Sequence, residues 1–215
     1  MKRKLQRFSE LGSFSNVFQK DCNLKGNWNK EYFLKDSSII LELGCGRGEY
    51  TLALYEKNSN HHYIGIDIKG ARLWRGAKSA FDSGIKEIAF IRTQIESLLD
   101  YFSENEVSEI WITFPDPQIS GRRERKRLTH PRFLAYYRTI LNKGGLIHLK
   151  TDSKELFEYS EQSLRSLSGT MVELIRDVHA HPFPSDHLLK VLTTYEKKFL
   201  KEKKPINYLC YQLDK

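Results

Sequence analysis

From residue 39 onward, short runs of β-branched and aromatic residues alternate with amphipathic stretches, the pattern of parallel strands joined by crossover helices. The chain is therefore read as an α/β domain of Rossmann-like type: a mostly parallel sheet with an antiparallel edge strand and helices on both faces. Two strand ends reinforce this. A glycine-rich turn with Gly44, Gly46 and Gly48 closes the first run, and a carboxylate bracketed by prolines, Asp116, closes the fourth. Both lie where an open parallel sheet forms a ligand crevice.

The predicted strands cover residues 39–43, 63–68, 88–92, 110–114 and 146–149. Two later ones, 172–178 and 208–213, supply the antiparallel edge. Helices are predicted at 49–56, 71–82, 131–141 and 156–167, and Lys143-Gly144-Gly145 reads as a helix stop and turn before the next strand. Residues 1–36 are polar and basic, dotted with Phe8, Phe14, Phe18 and Trp28. They are read as a basic arm laid on a domain of residues 37–215, part of it expected to be disordered without a partner. No internal repeat or low-complexity tract is visible.

A chain of 215 residues suits one domain whose core needs no disulfide or metal. Lys and Arg outnumber Asp and Glu by 35 to 27 and the pI is about 9.3, which favours a nucleic acid, an anionic membrane surface or an acidic substrate. Cys22, Cys45 and Cys210 are odd in number and lack CxxC spacing, as expected in a reducing compartment, the cytoplasm by default. No signal-type segment follows the basic residues 1–7, and no run of about 18 apolar residues occurs. The expectation is a soluble, unprocessed protein without a membrane partner.

The turn reads Glu42-Leu43-Gly44-Cys45-Gly46-Arg47-Gly48-Glu49, a GxGxG spacing whose backbone can approach a ligand closely. A dinucleotide loop would need GxGxxG, and Glu49 stands at that third position. Asp67 ends the next strand, placed to accept from a ribose diol. Glu42 and the lack of a GK[ST] loop disfavour a triphosphate and suit a zwitterionic sulfonium ligand. S-adenosyl-L-methionine is the inferred cofactor.

Asp116 is presented by Pro115 and Pro117, which restrict the backbone. Six Arg and Lys follow between residues 122 and 132, opposed only by Glu124. Together with the basic N-terminus and residues 197–204, this run is expected to track a phosphate backbone, with Arg125 and Arg127 both as phosphate contacts. Asp152 closes the fifth strand and, like Asp116, is suited to accept from guanine N1–H and N2–H. It serves equally as a helix cap. Thr193, Thr194, Tyr195 and Glu196 offer hydroxyls, a ring and an acid, with an exposed strand or turn as the plain alternative. His179, His181 and His187 form a weak cluster without a carboxylate or cysteine motif, so no metal site is expected and they are read as surface histidines.

The segments LELGCGRGEY, YIGIDI, WITFPDP, RKRLTHPRFL, HLKTDSKELFEYS and TTYEKKFL, with PINY after them, together resemble the bacterial tRNA (guanine-N7)-methyltransferase family. That family is a branch of the class I S-adenosylmethionine-dependent methyltransferases, and the resemblance spans residues 39–213. FPDP followed in order by KRLTHPRFL, KTD and TxYE is specific, whereas GxGxG is widely shared. The resemblance implies S-adenosyl-L-methionine as cofactor and tRNA as partner, with guanosine 46 the usual target. It implies that Glu42, Asp67 and Asp116 line the cofactor site beside Gly44 and Gly46, that Asp116 is catalytic, and that Asp152 and Thr193, Thr194, Tyr195 and Glu196 contact substrate.

Three positions depart from the family pattern. Gln94 stands where the family has an acid near the adenine, and its amide can still hydrogen-bond the ring. Gln118 replaces a Trp. Ser120 replaces a lysine assigned to substrate, with Arg122 or Arg123 as the charge in its place. These departures keep open a noncatalytic RNA-binding module with a regulatory S-adenosylmethionine or nucleotide pocket. Monomer and homodimer are left undecided.

Overall fold

The computed structural model describes residues 2–20, 22–185 and 187–214, with side chains from residue 5 onward. Among these residues one sheet is built from β1 (Val17–Phe18), β2 (Ile39–Leu43), β3 (His62–Ile66), β4 (Ile88–Ile91), β5 (Val107–Thr113), β6 (Leu141–Thr151), β7 (Gly169–Ile175) and β8 (Asn207–Leu213). Their spatial order is β1-β4-β3-β2-β5-β6-β8-β7. Strands β1 to β6 pair in parallel, and β8 runs antiparallel to both β6 and β7. Every residue of β2, β3 and β4 is buried, which explains their near-continuous apolar sequence.

The helices are α1 (Lys2–Leu11), α2 (Glu49–Lys57), α3 (Gly70–Asp82), α4 (Leu98–Tyr101), α5 (Pro131–Ile140), α6 (Lys154–Arg165) and α7 (Thr194–Lys201). Alternation along each strand divides the core in two. On one face Leu41, Ile64, Ile112 and Leu149 meet Phe133 and Tyr137 of α5 and Phe157 of α6. On the other Ile40, Tyr63, Phe90 and Trp111 meet Leu54 of α2 and Leu73 and Ala77 of α3. Because β2 continues to β3 on one side while β5 adjoins its other side, the chain reverses direction across the sheet between β2 and β5. A crevice opens at their C-terminal ends, as it does at such switch points.

Several boundaries differ from the sequence reading, each for a local reason. The second strand stops at Ile66, because the Asp67 carboxylate accepts the Lys69 amide at 2.7 Å and turns the chain. Ile68 is half exposed beyond it. Strand β5 ends before Phe114, whose φ of 47° breaks the extended backbone. Helix α6 starts earlier than predicted because the Ser153 side chain caps the Leu156 amide. Helix α5 ends at Ile140, and β6 begins at once with Leu141 paired to Val107. Gly144 and Gly145 therefore form no separate turn. They sit within the irregular stretch of that strand, with Gly144 at φ 74°.

Within residues 1–36, α1 packs on α3, β1 extends the β4 edge, and Trp28 in a π-helical turn (Trp28–Phe33) is wholly buried. Trp28 donates its indole N–H to the Tyr101 carbonyl at 2.9 Å, which fastens this segment under α4.

Candidate functional site

A cleft of about 820 Å³ occupies the crevice at the C-terminal ends of β2, β3, β5 and β6, within the size range of small-molecule sites. Its floor is Glu42. This residue is buried beside Thr113 of β5 and Thr51 of α2: one carboxylate oxygen accepts the Thr113 hydroxyl at 2.6 Å, and the other accepts the Thr51 amide at 2.8 Å and its hydroxyl. Burial pushes the Glu42 carboxyl up to about 7, while these hydrogen bonds pull it down. A cation in the cleft would therefore meet a carboxylate fixed in place and poised to ionise.

The glycine turn above it is held from below. The amides of Gly44 and Cys45 both donate to the Ile66 carbonyl, and the Gly46 amide donates to Asp67 at 2.9 Å. A Cβ on Gly44 would meet nothing within 4 Å, so that residue bares its backbone to the cleft. On the far side the turn presses against α3, where a Cβ on Gly76 would lie 2.7 Å from the Arg47 carbonyl. Both Asp67 oxygens are engaged by backbone amides, yet each keeps a lone pair for a ribose hydroxyl. Gln94 is exposed at the same rim. Burial raises the Cys45 thiol well above its ordinary range, so it stays protonated.

Across the cleft, Phe114 and Gln118 hold positive φ values of 47° and 48° on either side of Pro115-Asp116-Pro117. These conformations are costly for side-chain-bearing residues and bend the loop so that Asp116 borders the cleft, exposed, with one oxygen accepting the Gln118 amide at 3.1 Å. Asp152 lies on the same cleft and meets Lys204 at 3.5 Å.

The structure thus brings together Glu42, Gly44, Gly46, Asp67, Gln94, Asp116, Asp152, Thr193, Thr194 and Tyr195. It leaves Ser120, Arg122 and Arg123 outside, on the exposed surface beyond the loop. Glu196 lies behind the wall, with no exposed surface. Thr193 to Glu196 form the cap and first residues of helix α7 rather than an exposed strand or turn, with Thr193 accepting the Glu196 amide. The histidines are half buried. His179 engages Glu196 at 2.7 Å, and His187 stacks on Phe183.

The basic run is not uniform. Arg122, Arg123, Arg125 and Lys126 lie exposed on a 3₁₀ turn (Gly121–Lys126) and, among the described residues, form no ion pair. Arg127 is 6% exposed: its Nε donates to the Pro117 carbonyl at 3.2 Å, its Nη2 meets Glu155 at 2.6 Å, and its guanidinium lies over the Tyr159 ring. A phosphate contact for Arg127 is therefore corrected to an internal clamp on the Asp116 loop. Arg132 pairs with Glu96 at 2.6 Å.

Sequence reasoning missed Thr51, Thr113 and Glu49. Thr113 reaches Glu42 because the register pairs Glu42 with Trp111, which puts Thr113 on the same face one pleat further on. Glu49 accepts the Thr194 amide at 2.6 Å and so ties the glycine turn to α7. Long-range register of this kind has no local sequence signal.

A family profile described as "Putative methyltransferase" matches residues 36–209. The tRNA (guanine-N(7)-)-methyltransferase of Christiangramia forsetii is 44% identical, over 99% of this chain and 98% of the relative. The protein of the same name from Bacteroides fragilis is 41% identical, over 99% and 86%. Among solved structures, the 16S rRNA methyltransferase KamB aligns with a TM-score of 0.67 at 13% identity, covering 93% of this chain and 99% of that one. A 30S ribosomal A1408 methyltransferase from an uncultured bacterium aligns at 0.63 and 17%, covering 92% and 98%. At such identities these structures share the fold.

Proposed function

The chain belongs to the tRNA (guanine-N(7)-)-methyltransferase family, and on that premise we propose that it methylates N7 of guanine in tRNA, with guanosine 46 as the expected target and S-adenosyl-L-methionine as methyl donor. The observation that carries this reading is the convergence, in one cleft at the switch point, of the glycine turn and Glu42 with Asp116 and Asp152. A cytoplasmic setting goes with it, supported by three cysteines that form no disulfide.

The residues present fit the cofactor. Glu42 offers a fixed carboxylate to its amino group, Gly44 an unobstructed backbone, Asp67 acceptors for its ribose hydroxyls and Gln94 an amide for its adenine. When bound, the cofactor supplies a methyl group on a cationic sulfur.

Guanine N7 carries a lone pair and no proton, so no general base is required, and the chain's task is to align the ring for in-line attack. Asp152 accepts from the N1–H and N2–H edge. Asp116 faces the ring as N7 gains its fourth electron-pair bond and the purine becomes cationic, and its fixed negative charge stabilises that change. Arg122, Arg123, Arg125 and Lys126 neutralise phosphates of the RNA backbone beside the cleft.

Incubation with methyl-labelled cofactor and total tRNA, followed by nucleoside analysis, tests the reading. The expected product is 7-methylguanosine. Label in another nucleoside overturns the assignment, and retained cofactor without transfer supports a noncatalytic RNA-binding module instead.

A further inference from the structure

Besides Glu42, the described residues bury another pair of charges, behind the cleft rather than in it. Lys150, near the end of β6, and Glu196, in the first turn of α7, have no exposed side-chain surface. The Lys150 Nζ lies 2.8 and 2.9 Å from the two Glu196 oxygens and also donates to the Leu189 carbonyl. His179 Nε2 takes one Glu196 oxygen at 2.7 Å, and Tyr50 and Phe114 lie 5.4 and 5.8 Å from the ammonium. Every partner the pair needs is thus internal.

A buried ion pair is weak as a source of stability, because desolvation offsets much of the attraction. What it does supply here is register. Lys150 is the last residue but one of β6, and Asp152 follows the strand directly, at the bend before α6, so whatever holds this strand end also holds Asp152. Glu196 follows directly on Thr193, Thr194 and Tyr195, which line the opposite wall of the cleft. Joining Lys150 to Glu196 therefore sets the gap between the Asp152 wall and the α7 wall. A second tether, Glu49 to the Thr194 amide, pins the same turn from the cofactor side.

We infer that Lys150 and Glu196 act as one positioning unit that sets the width of the target-base slot, and that Glu196 does not itself touch substrate. This rests on the methyltransferase reading above, and it removes Glu196 from the substrate contacts while adding Lys150, for which the sequence offered no role.

The test is a double-variant cycle read as kcat and KM for tRNA, with cofactor affinity and thermal stability measured alongside. Lys150→Met and Glu196→Gln are each expected to lower kcat, on the order of 100-fold, the cost of a misplacement of about 1 Å, while cofactor affinity stays near wild type. The variant carrying Lys150→Met with Glu196→Met lacks both buried charges and is expected to fold and to lose about as much kcat as one single variant, not the product of the two losses. Wild-type kcat in that double variant overturns the positioning role. A large loss for Glu196→Gln with none for Lys150→Met overturns it in favour of direct contact. Should the Met pair not fold, the near-isosteric Glu196→Gln decides alone, and wild-type kcat there overturns the inference. A wild-type chain that forms no 7-methylguanosine instead overturns the function on which the inference rests.

Discussion

At the glycine turn, the carboxylates serve the protein before they serve a ligand. Glu42 takes three hydrogen bonds from Thr51 and Thr113, and Asp67 takes the amides of Gly46 and Lys69. Across the cleft, Asp116 is exposed and accepts only the Gln118 amide among the described residues. Its loop is held instead from outside, by Arg127 on the Pro117 carbonyl. The glycine-turn side is thus held by its own carboxylates, whereas the loop side leaves its acid free and takes its rigidity from a neighbour. Under the proposed function, the first arrangement suits the methyl donor and the second leaves room for a base delivered on RNA.

The sharpest way to break this division is Asp116→Ala. Loss of a charge aimed at the developing cation is expected to lower kcat by about 10²–10³-fold, and because the side chain is exposed, stability should shift by no more than about 0.5 kcal/mol. Single-turnover methylation and a thermal melt report the two quantities, and a large drop in Tm would mean that Asp116 builds the loop rather than acting from it.

A smaller effect separates the two kinds of arginine in the basic run. Arg127→Ala should destabilise the fold by about 1–3 kcal/mol and lower kcat, with the salt dependence of tRNA binding unchanged. Arg122→Ala with Arg125→Ala should leave the melt alone and flatten the log–log salt dependence by about 0.7–0.9 per lost phosphate contact. If Arg127→Ala flattened the slope as the exposed pair does, the clamp would be a phosphate contact after all.

The smallest expected signal is a proton. The folded Glu42 carboxyl is raised from 4.5 to about 7 by burial. In the free protein its contribution to stability is therefore fully present below about pH 4.5 and is lost as pH rises through 7. A cationic ligand favours the carboxylate, so cofactor binding at pH 7 should expel about half a proton. Calorimetry in buffers of different ionisation enthalpy reads this directly. The same release from Glu42→Gln would show that the proton comes from another group.

Much of the fold was legible because its signals are local. The seven principal strands lie within a few residues of their predicted positions, and the helices follow from amphipathic periodicity. What escaped prediction, α1, β1, the π-helical turn at Trp28, α4 and α7, are short or polar segments whose sequence hides a packing role. The site was legible where a motif ends a strand, as at Gly44, Asp67, Asp116 and Asp152. It was illegible where partners come from distant segments, as with Thr113 under Glu42.

The order of strand and helix signals, the glycine turn and the Pro-Asp-Pro junction already determine an α/β sheet with acids at its ligand-binding edge, because periodicity and turn chemistry act over a few residues. Which charges face solvent is another matter. Arg125 and Arg127 are near neighbours of identical chemistry, yet one is exposed and the other is clamped between Pro117, Glu155 and Tyr159. Lys150 and Glu196 look like two more surface charges until β6 and α7 pack together and exclude water from both. Burial depends on what the rest of the chain places against a residue, and only the tertiary structure decides that.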